Sequence, residues 1–335
     1  MVEQSTGNGR PNIGFVLAHE QFPAATLVDN AEHAERAGFS HVWASDHAQP
    51  WQDNQGHSMF PWLTLTLVGE RTRDLRFGPG VLCPTYRHHP GQVAQAFASL
   101  ALLSPGRVFL GLGTGEAVNE LAATGSFGSY QERHDRLAEA IELIRALWTG
   151  QRITHRGRYY RTERFRLYDV PSGPIPIYVA ASGPKSAYLA GRLGDGWIAQ
   201  RRDFMNPGMR AAFAEGARAA GRDPGSMTCL VQQILVVGDE AEAEFCAGQW
   251  RFAGDKSPQL MYDPDPVAIQ RRVERDVPST SVLADWLVSE DPADHVQALQ
   301  RIIDLGGVPF VHSGQVDQHR VIDFYRRSVL PALRT

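Results

Sequence analysis

The stretch Arg107-Val108-Phe109-Leu110-Gly111-Leu112-Gly113-Thr114-Gly115-Glu116 decides the fold. Arg107–Gly113 has the length of a strand and the apolar character of one buried in a parallel sheet. It runs into a glycine-rich turn that carries an acid, Glu116. Helical periodicity follows, with Leu137, Ile141, Ile144 and Trp148 on one face of a helix that stops near Gly150. Strand, turn and helix make one βα unit.

Working outward, the same unit recurs. Strands are expected at Ile13–Ala18, His41–Ser45, Arg76–Cys83, Ile175–Ala181, Gly196–Gln200, Thr228–Val237 and Val308–His312, besides Arg107–Gly113. Val93, Phe97 and Leu100 form an apolar helix face after Pro90. A doubly wound sheet also alternates β and α elements, but about eight units with no second domain favour a closed (β/α)8 TIM barrel. The whole chain, 1–335, is expected to be one such domain with two insertions. The first, about 151–174, contains Arg156-Gly157-Arg158-Tyr159-Tyr160-Arg161 and reads as strand-rich; the second, about 239–307, is helical and far longer than one connection.

With 43% apolar and 21% charged residues and no apolar run long enough for a span, the chain is expected to be soluble. Met1-Val2-Glu3-Gln4-Ser5-Thr6 lacks the features of a secretory signal, so the cytoplasm is expected. Cys83, Cys229 and Cys246 form no CxxC pair and argue against a disulfide framework or a cysteine zinc site. A net charge of −4 gives no general attraction to nucleic acid or to an anionic membrane. His88-His89 and the other histidines show no metal-ligand spacing.

In a (β/α)8 barrel the chemistry sits where strands end and βα loops begin. Glu20 follows the first strand, Asp46 and His47 the second, Glu116 and Asn119 the fourth. A histidine flanked by an acid can hold one tautomer while its other nitrogen takes a proton, which makes His47 the natural base for a hydroxyl. The plainer reading of Asp46-His47 is a cap or a satisfied strand end. Glu116 follows Gly111, Gly113 and Gly115, where the missing side chains let a cofactor approach the backbone and a carboxyl reach a ring nitrogen. The three glycines lack the GxGxxG spacing of a dinucleotide fingerprint. Trp51 and Trp62 are either core or the walls of a pocket. Gly80-Val81 is a candidate for constrained backbone beneath a flat ring, and Ala180-Ala181-Ser182-Gly183 opens a helix whose free N–H groups can hold a phosphate, although Ser182 is equally a plausible cap.

Taken together, the stretches Ser45-Asp46-His47-x-Gln49-Pro50-Trp51, Val68-Gly69-Glu70-Arg71-Thr72, Gln95-Ala96-Phe97-Ala98, Arg107 to Glu120 and Ala190-Gly191-Arg192-x-Gly194-Asp195-Gly196 resemble the luciferase-like flavin and deazaflavin oxidoreductases. They look most like the branch with coenzyme F420-dependent glucose-6-phosphate and alcohol dehydrogenases, over about the first 200 residues. The resemblance implies a usually dimeric TIM barrel that holds F420 at the strand ends and acts on a small-molecule substrate. It implies that His47 takes the hydroxyl proton, that Trp51 and Glu20 hold the reacting oxygen, and that Glu116 serves the deazaflavin. Asp46, Gly80, Val81, Cys83, Gly115, Asn119, Ala180, Ala181, Ser182 and Gly183 would line the cofactor, with a non-proline cis peptide at Gly80-Val81.

The chain departs from that pattern at the far end of the pocket. Family members that oxidise glucose 6-phosphate hold the phosphate with lysines and an arginine, whereas Asp285 of Ala284-Asp285-Trp286-Leu287-Val288 falls where the arginine belongs. An acid there repels a phosphate. Arg201, Arg202, Lys256, Arg271 and Arg272 are cations that could compensate. The readings left open are an F420-dependent dehydrogenase for an uncharged or differently charged alcohol, a glucose-6-phosphate dehydrogenase with relocated cations, an FMN monooxygenase on the same fold, and a cofactor-binding protein without turnover.

Overall fold

The computed structural model describes residues 11–335; residues 1–10, where no secretory signal is expected, lie outside the described part. The strands are β1 (Gly14–Leu17), β2 (His41–Ala44), β3 (Arg76–Pro79), β4 (Leu110–Leu112), β5 (Ile153–Arg156), β6 (Arg161–Phe165), β7 (Ile177–Ala180), β8 (Gly196–Gln200), β9 (Thr228–Val236), β10 (Leu287–Val288) and β11 (Gly307–Ser313). Eight of them pair in parallel in the order β3-β2-β1-β11-β9-β8-β7-β4. Bridges between Phe77 and Val108 and between Leu82 and Leu112 join the two ends into a nearly closed (β/α)8 barrel. Each of the eight expected strands is present. The fourth is the most contracted, from Arg107–Gly113 to Leu110–Leu112, because its contact with β3 is a set of bridges rather than a continuous ladder.

Val16, Trp43, Phe109, Tyr178, Ile198, Leu230, Val308 and Phe310 fill the barrel interior, so it is packed and not a pore. Trp43 and Phe310 stack with centroids 3.9 Å apart. Helices 90–103 and 130–148 cover the outside with the apolar faces read from their spacing. His89 caps the first, its Nδ1 accepting from the Gly91 N–H at 3.0 Å, which gives that histidine a structural role.

Strands β5 and β6 form an antiparallel hairpin outside the barrel. Between β9 and β11 the chain runs through helices 240–249, 266–276 and 279–283, then β10 beside β9, then helix 292–304. Glutamines of the β2 loop fasten this segment over the barrel mouth: Gln52 donates to the Gly248 carbonyl and accepts from the Phe252 N–H, and Gln49 donates to the Pro264 carbonyl.

A buried ion network joins the loops that follow β2, β3 and β4. Arg87 donates to Asp46 Oδ1 at 2.9 Å and lies 3.4 Å from Glu120 Oε1, and both carboxylates have 0% side-chain exposure. Glu120 also accepts from the backbone N–H groups of Tyr86 and Arg87. Burial raises the Glu120 pKa, with Arg87 opposing.

Two consequences are measurable. Removing one partner of a buried ion pair leaves an uncompensated charge, so Arg87→Met is expected to lower unfolding free energy by about 3–5 kcal/mol. Urea denaturation checks this, and a loss under about 1 kcal/mol would mean that the carboxylates do not depend on Arg87. His41, at the start of β2, is held neutral by burial and then by Arg76, its pKa lowered to about 3. The unfolded chain takes up this proton below pH 6.5 and the native one only near pH 3, so stability is complete above 6.5 and falls as the pH drops through that window. Melting temperatures from pH 7 to 4 should decline, and more gently in His41→Asn.

Candidate active site

The strand ends β1, β2, β3, β8, β9 and β11 open into a cavity of about 460 Å³. Six of the fourteen residues nominated from sequence line it: Glu20, His47, Trp51, Gly80, Glu116 and Ser182. The other eight are not among the residues that line it. Asn119 is within hydrogen-bond distance of His47, while the Asp46 carboxylate points away toward Arg87 and accepts from Trp62 Nε1 at 3.3 Å. Trp62 thus anchors Asp46 and does not wall the cavity. Cys83 is buried, and burial followed by the nearby Glu116 and Glu120 carboxylates pushes its thiol well above the ordinary range, so it is an inert packing group.

Five side chains form a line across the mouth. Ser45 Oγ donates to Glu20 Oε2 at 2.5 Å, and Glu20 Oε1 lies 3.3 Å from His47 Nε2. His47 Nδ1 faces Asn119 Nδ2 at 3.0 Å, and the same Asn119 amide reaches Glu116 Oε2 at 3.4 Å. The Ala48 N–H donates to Asn119 Oδ1 at 2.7 Å, which turns the NH2 end of that amide toward the imidazole. An amide NH2 can only donate, so Nδ1 accepts and the His47 proton sits on Nε2, against Glu20. Trp51 stands beside His47 at 5.8 Å between ring centroids and is held by stacking on Phe252 at 4.9 Å.

Two glycines let the loops at the site pass close to their neighbours. A Cβ at Gly80 would come within 2.5 Å of the Trp43 indole, so only glycine lets the chain pass there. Gly115 has φ +82°, and a Cβ would come within 2.7 Å of Glu120. The Gly80–Val81 peptide bond is cis. Ser182 lines the cavity, one residue before Gly183 and the helix Pro184–Leu193.

The outer wall comes from the long segment before β11. Trp250, Phe252, Ala253, Leu260, Val282 and Trp286 present an apolar surface. Among the cations proposed as phosphate ligands, Arg202 and Lys256 line the cavity, but Arg202 Nη1 lies 3.2 Å and Lys256 Nζ 3.6 Å from the same Asp285 carboxylate. Arg272 is occupied by Asp255 and Asp263. Arg201 also lines the cavity, whereas Arg271 does not.

Sequence reading missed Trp43, Arg87, Gln232 and His312. His312 ends an expected strand, so the rule that found Glu20 and His47 finds it too. Arg87 lies in a loop with no periodicity, and only contact with two distant acids reveals its role.

Residues 5–306 match the family model described as luciferase-like monooxygenase. An F420-dependent hydroxymycolic acid dehydrogenase of Mycobacterium tuberculosis (strain ATCC 25618 / H37Rv) is 58% identical, covering 96% of this chain and 88% of the relative. An F420-dependent glucose-6-phosphate dehydrogenase of Nakamurella multipartita is 38% identical over 96% of each chain. The solved structure of an F420-dependent secondary alcohol dehydrogenase in complex with an F420–acetone adduct superposes with a TM-score of 0.90 at 30% identity, covering 97% of this chain and 99% of the other. With the strand ends, the cavity and these matches in agreement, the chain belongs to the luciferase-like family.

Proposed function

We propose that the chain is a coenzyme F420-dependent oxidoreductase that interconverts a secondary CH–OH and a C=O in an unphosphorylated substrate. The observation that carries this reading is the line Glu20, His47, Asn119, Glu116, which sets proton-handling groups along one rim of the cavity. The names of the relatives support it, each an F420-dependent dehydrogenase, for a hydroxymycolic acid, glucose 6-phosphate or a secondary alcohol.

The residues present fit the coenzyme. Gly80 and Glu116 line the cavity, and with Val81, Cys83, Gly115 and Asn119 beside them they would hold the ring, Glu116 supplying a carboxyl group for its nitrogen. Ala180, Ala181, Ser182 and Gly183 lead into a helix N-terminus, which suits the phosphate of a cofactor tail. Asp46 supports the ring site through Arg87. Bound F420 supplies the two-electron hydride acceptor, and its reduced form the donor.

The protein's own part is proton transfer and orientation. A hydroxyl between Glu20 and His47 donates its proton to the Glu20 carboxylate and accepts from His47 Nε2–H, while Trp51 closes one side. Sequence reading makes His47 the base; the Asn119 hydrogen bond supports moving the acceptor to Glu20 and making His47 the donor that steadies the reacting oxygen. The apolar outer wall suits a substrate with a hydrocarbon remainder. Asp285 is shared by Lys256 and Arg202, and Asp203 lies 3.6 Å from Arg202, so these cations are engaged where a phosphate would otherwise bind, which weighs against the glucose 6-phosphate reading.

The coarser physical setting supports two further points. Among the described residues no helix is long and apolar enough to cross a membrane, and the three cysteines are free and buried, which suits the cytoplasm. Phe60, Leu63 and Leu67 are exposed at helical spacing, and the adjoining helix 90–103 exposes Leu102 and Leu103, which suits a homodimer.

Fluorescence titration with F420, followed by turnover of secondary alcohols, tests the function directly. Glu20→Gln should bind F420 within about threefold of wild type and lose at least about 100-fold in kcat/KM. His47→Gln, which keeps an N–H donor, should lose only about tenfold; the reverse order would return the base role to His47. Asp285→Asn should bind glucose 6-phosphate about three- to tenfold more tightly by releasing Lys256 and Arg202, and no change in calorimetry would refute the masking.

A further inference from the structure

His312, at the end of β11, has no part in the chemistry described so far. It is 3% exposed and lines the cavity. Gln232 Nε2 donates to its Nδ1 at 2.8 Å, which leaves the ring proton on Nε2. That Nε2 is buried and has no hydrogen-bond partner. The ring is fixed from the other side by Trp250, edge to face at 4.6 Å and 89°. Trp250 in turn donates to Gln21 Oε1 at 3.0 Å, and Gln21 donates to the Gly314 carbonyl at 2.7 Å, just beyond His312. A side chain held this firmly with its donor unused costs free energy unless a bound molecule supplies the acceptor.

The acceptor's chemistry follows from the surroundings. Burial keeps the imidazole neutral, its pKa lowered to about 4. Gln200 and Gln232 line the cavity beside it and are register partners on the adjacent strands β8 and β9. Two amides and a neutral imidazole form a polar arc on β8, β9 and β11, with Arg202 at its Gln200 end and Glu20, on the neighbouring strand β1, close enough to act on His312. Such an arc matches a neutral oxygen, because the charge that acts on His312 is the Glu20 carboxylate, which opposes an anion, and Arg202, which donates to Gln200 Oε1 at 3.4 Å, is itself paired with Asp285.

We propose that His312, held by Gln232 and Trp250, is a specificity-determining residue that donates its Nε2–H to a second, uncharged oxygen of the substrate, a hydroxyl, carbonyl or ether apart from the reacting carbinol. This rests on the reading of the cavity as the substrate site. It separates two demands: Glu20 and His47 act on the oxygen that changes oxidation level, and His312 selects substrates with another oxygen at the right reach.

Butan-2-ol, pentan-2-ol and hexan-2-ol, compared with butane-2,3-diol, pentane-2,4-diol and hexane-2,5-diol, vary that reach. In the F420-loaded protein at least one diol should exceed its mono-alcohol about tenfold in kcat/KM, the worth of one well-placed hydrogen bond. His312→Phe should reduce that advantage to within about twofold while kcat for the mono-alcohol holds, and His312→Gln, which keeps a donor, should restore part of it. A readout without turnover uses histidine-selective 15N NMR of the protein without coenzyme. The signal missing from His312→Phe should report a neutral ring protonated at Nε2 and shift on adding the preferred diol but not its mono-alcohol. No diol preference in wild type, an equal loss for both substrate types in His312→Phe, or a proton on Nδ1 would each overturn the proposal. Failure to bind F420 with the NMR result intact would instead count against the coenzyme reading alone.

Discussion

The site depends on one cation holding two buried acids. Arg87 lies between Asp46 and Glu120, each without side-chain exposure, and so ties the loops after β2, β3 and β4 into one body. Those loops carry His47, the Gly80–Val81 turn, and the Glu116–Asn119 run. Carboxylates buried at that depth cannot remain ionised without a partner, and their desolvation forbids the loops from separating independently. The polar network therefore acts less as a source of stability than as a constraint on the position of the side chains that these loops carry.

A second constraint works outward from this body. Asn119 is oriented by the Ala48 N–H, and its orientation sets the His47 tautomer, which in turn sets what Glu20 faces. The donor and acceptor that His47 and Glu20 present to the cavity are thus set from behind, by the Asn119 amide. This is the usual logic of second partners to histidine, where the far nitrogen decides what the near one can do.

The two ends of the cavity are built from different material. The inner end is made of strand ends and short loops, whose positions are set by the barrel. The outer end is made by the segment between β9 and β11, with Trp250, Phe252, Val282 and Trp286 as its surface. Gln49 and Gln52 fasten that segment to the β2 loop through backbone groups. Backbone hydrogen bonds tolerate changes of side chain, so the outer wall can alter its chemistry while keeping its place. Asp285, paired with both Lys256 and Arg202, stands on this wall.

Sequence alone determined the barrel, its eight strands and the residue types at the strand ends, because buried parallel strands demand apolar runs and βα loops demand glycine and polar residues at set places. It also brought Glu20, His47, Trp51 and Glu116 to one face, since those positions follow from strand order. Tertiary structure alone decided how they are used. The orientation of Asn119, the occupation of Asp46 by Arg87 and Trp62, the sharing of Asp285 between two cations and the unused nitrogen of His312 all depend on contacts between residues far apart in the chain. A linear pattern records which groups are available, but hydrogen-bond direction and charge compensation are set by distance and angle, and these exist only once the chain has closed.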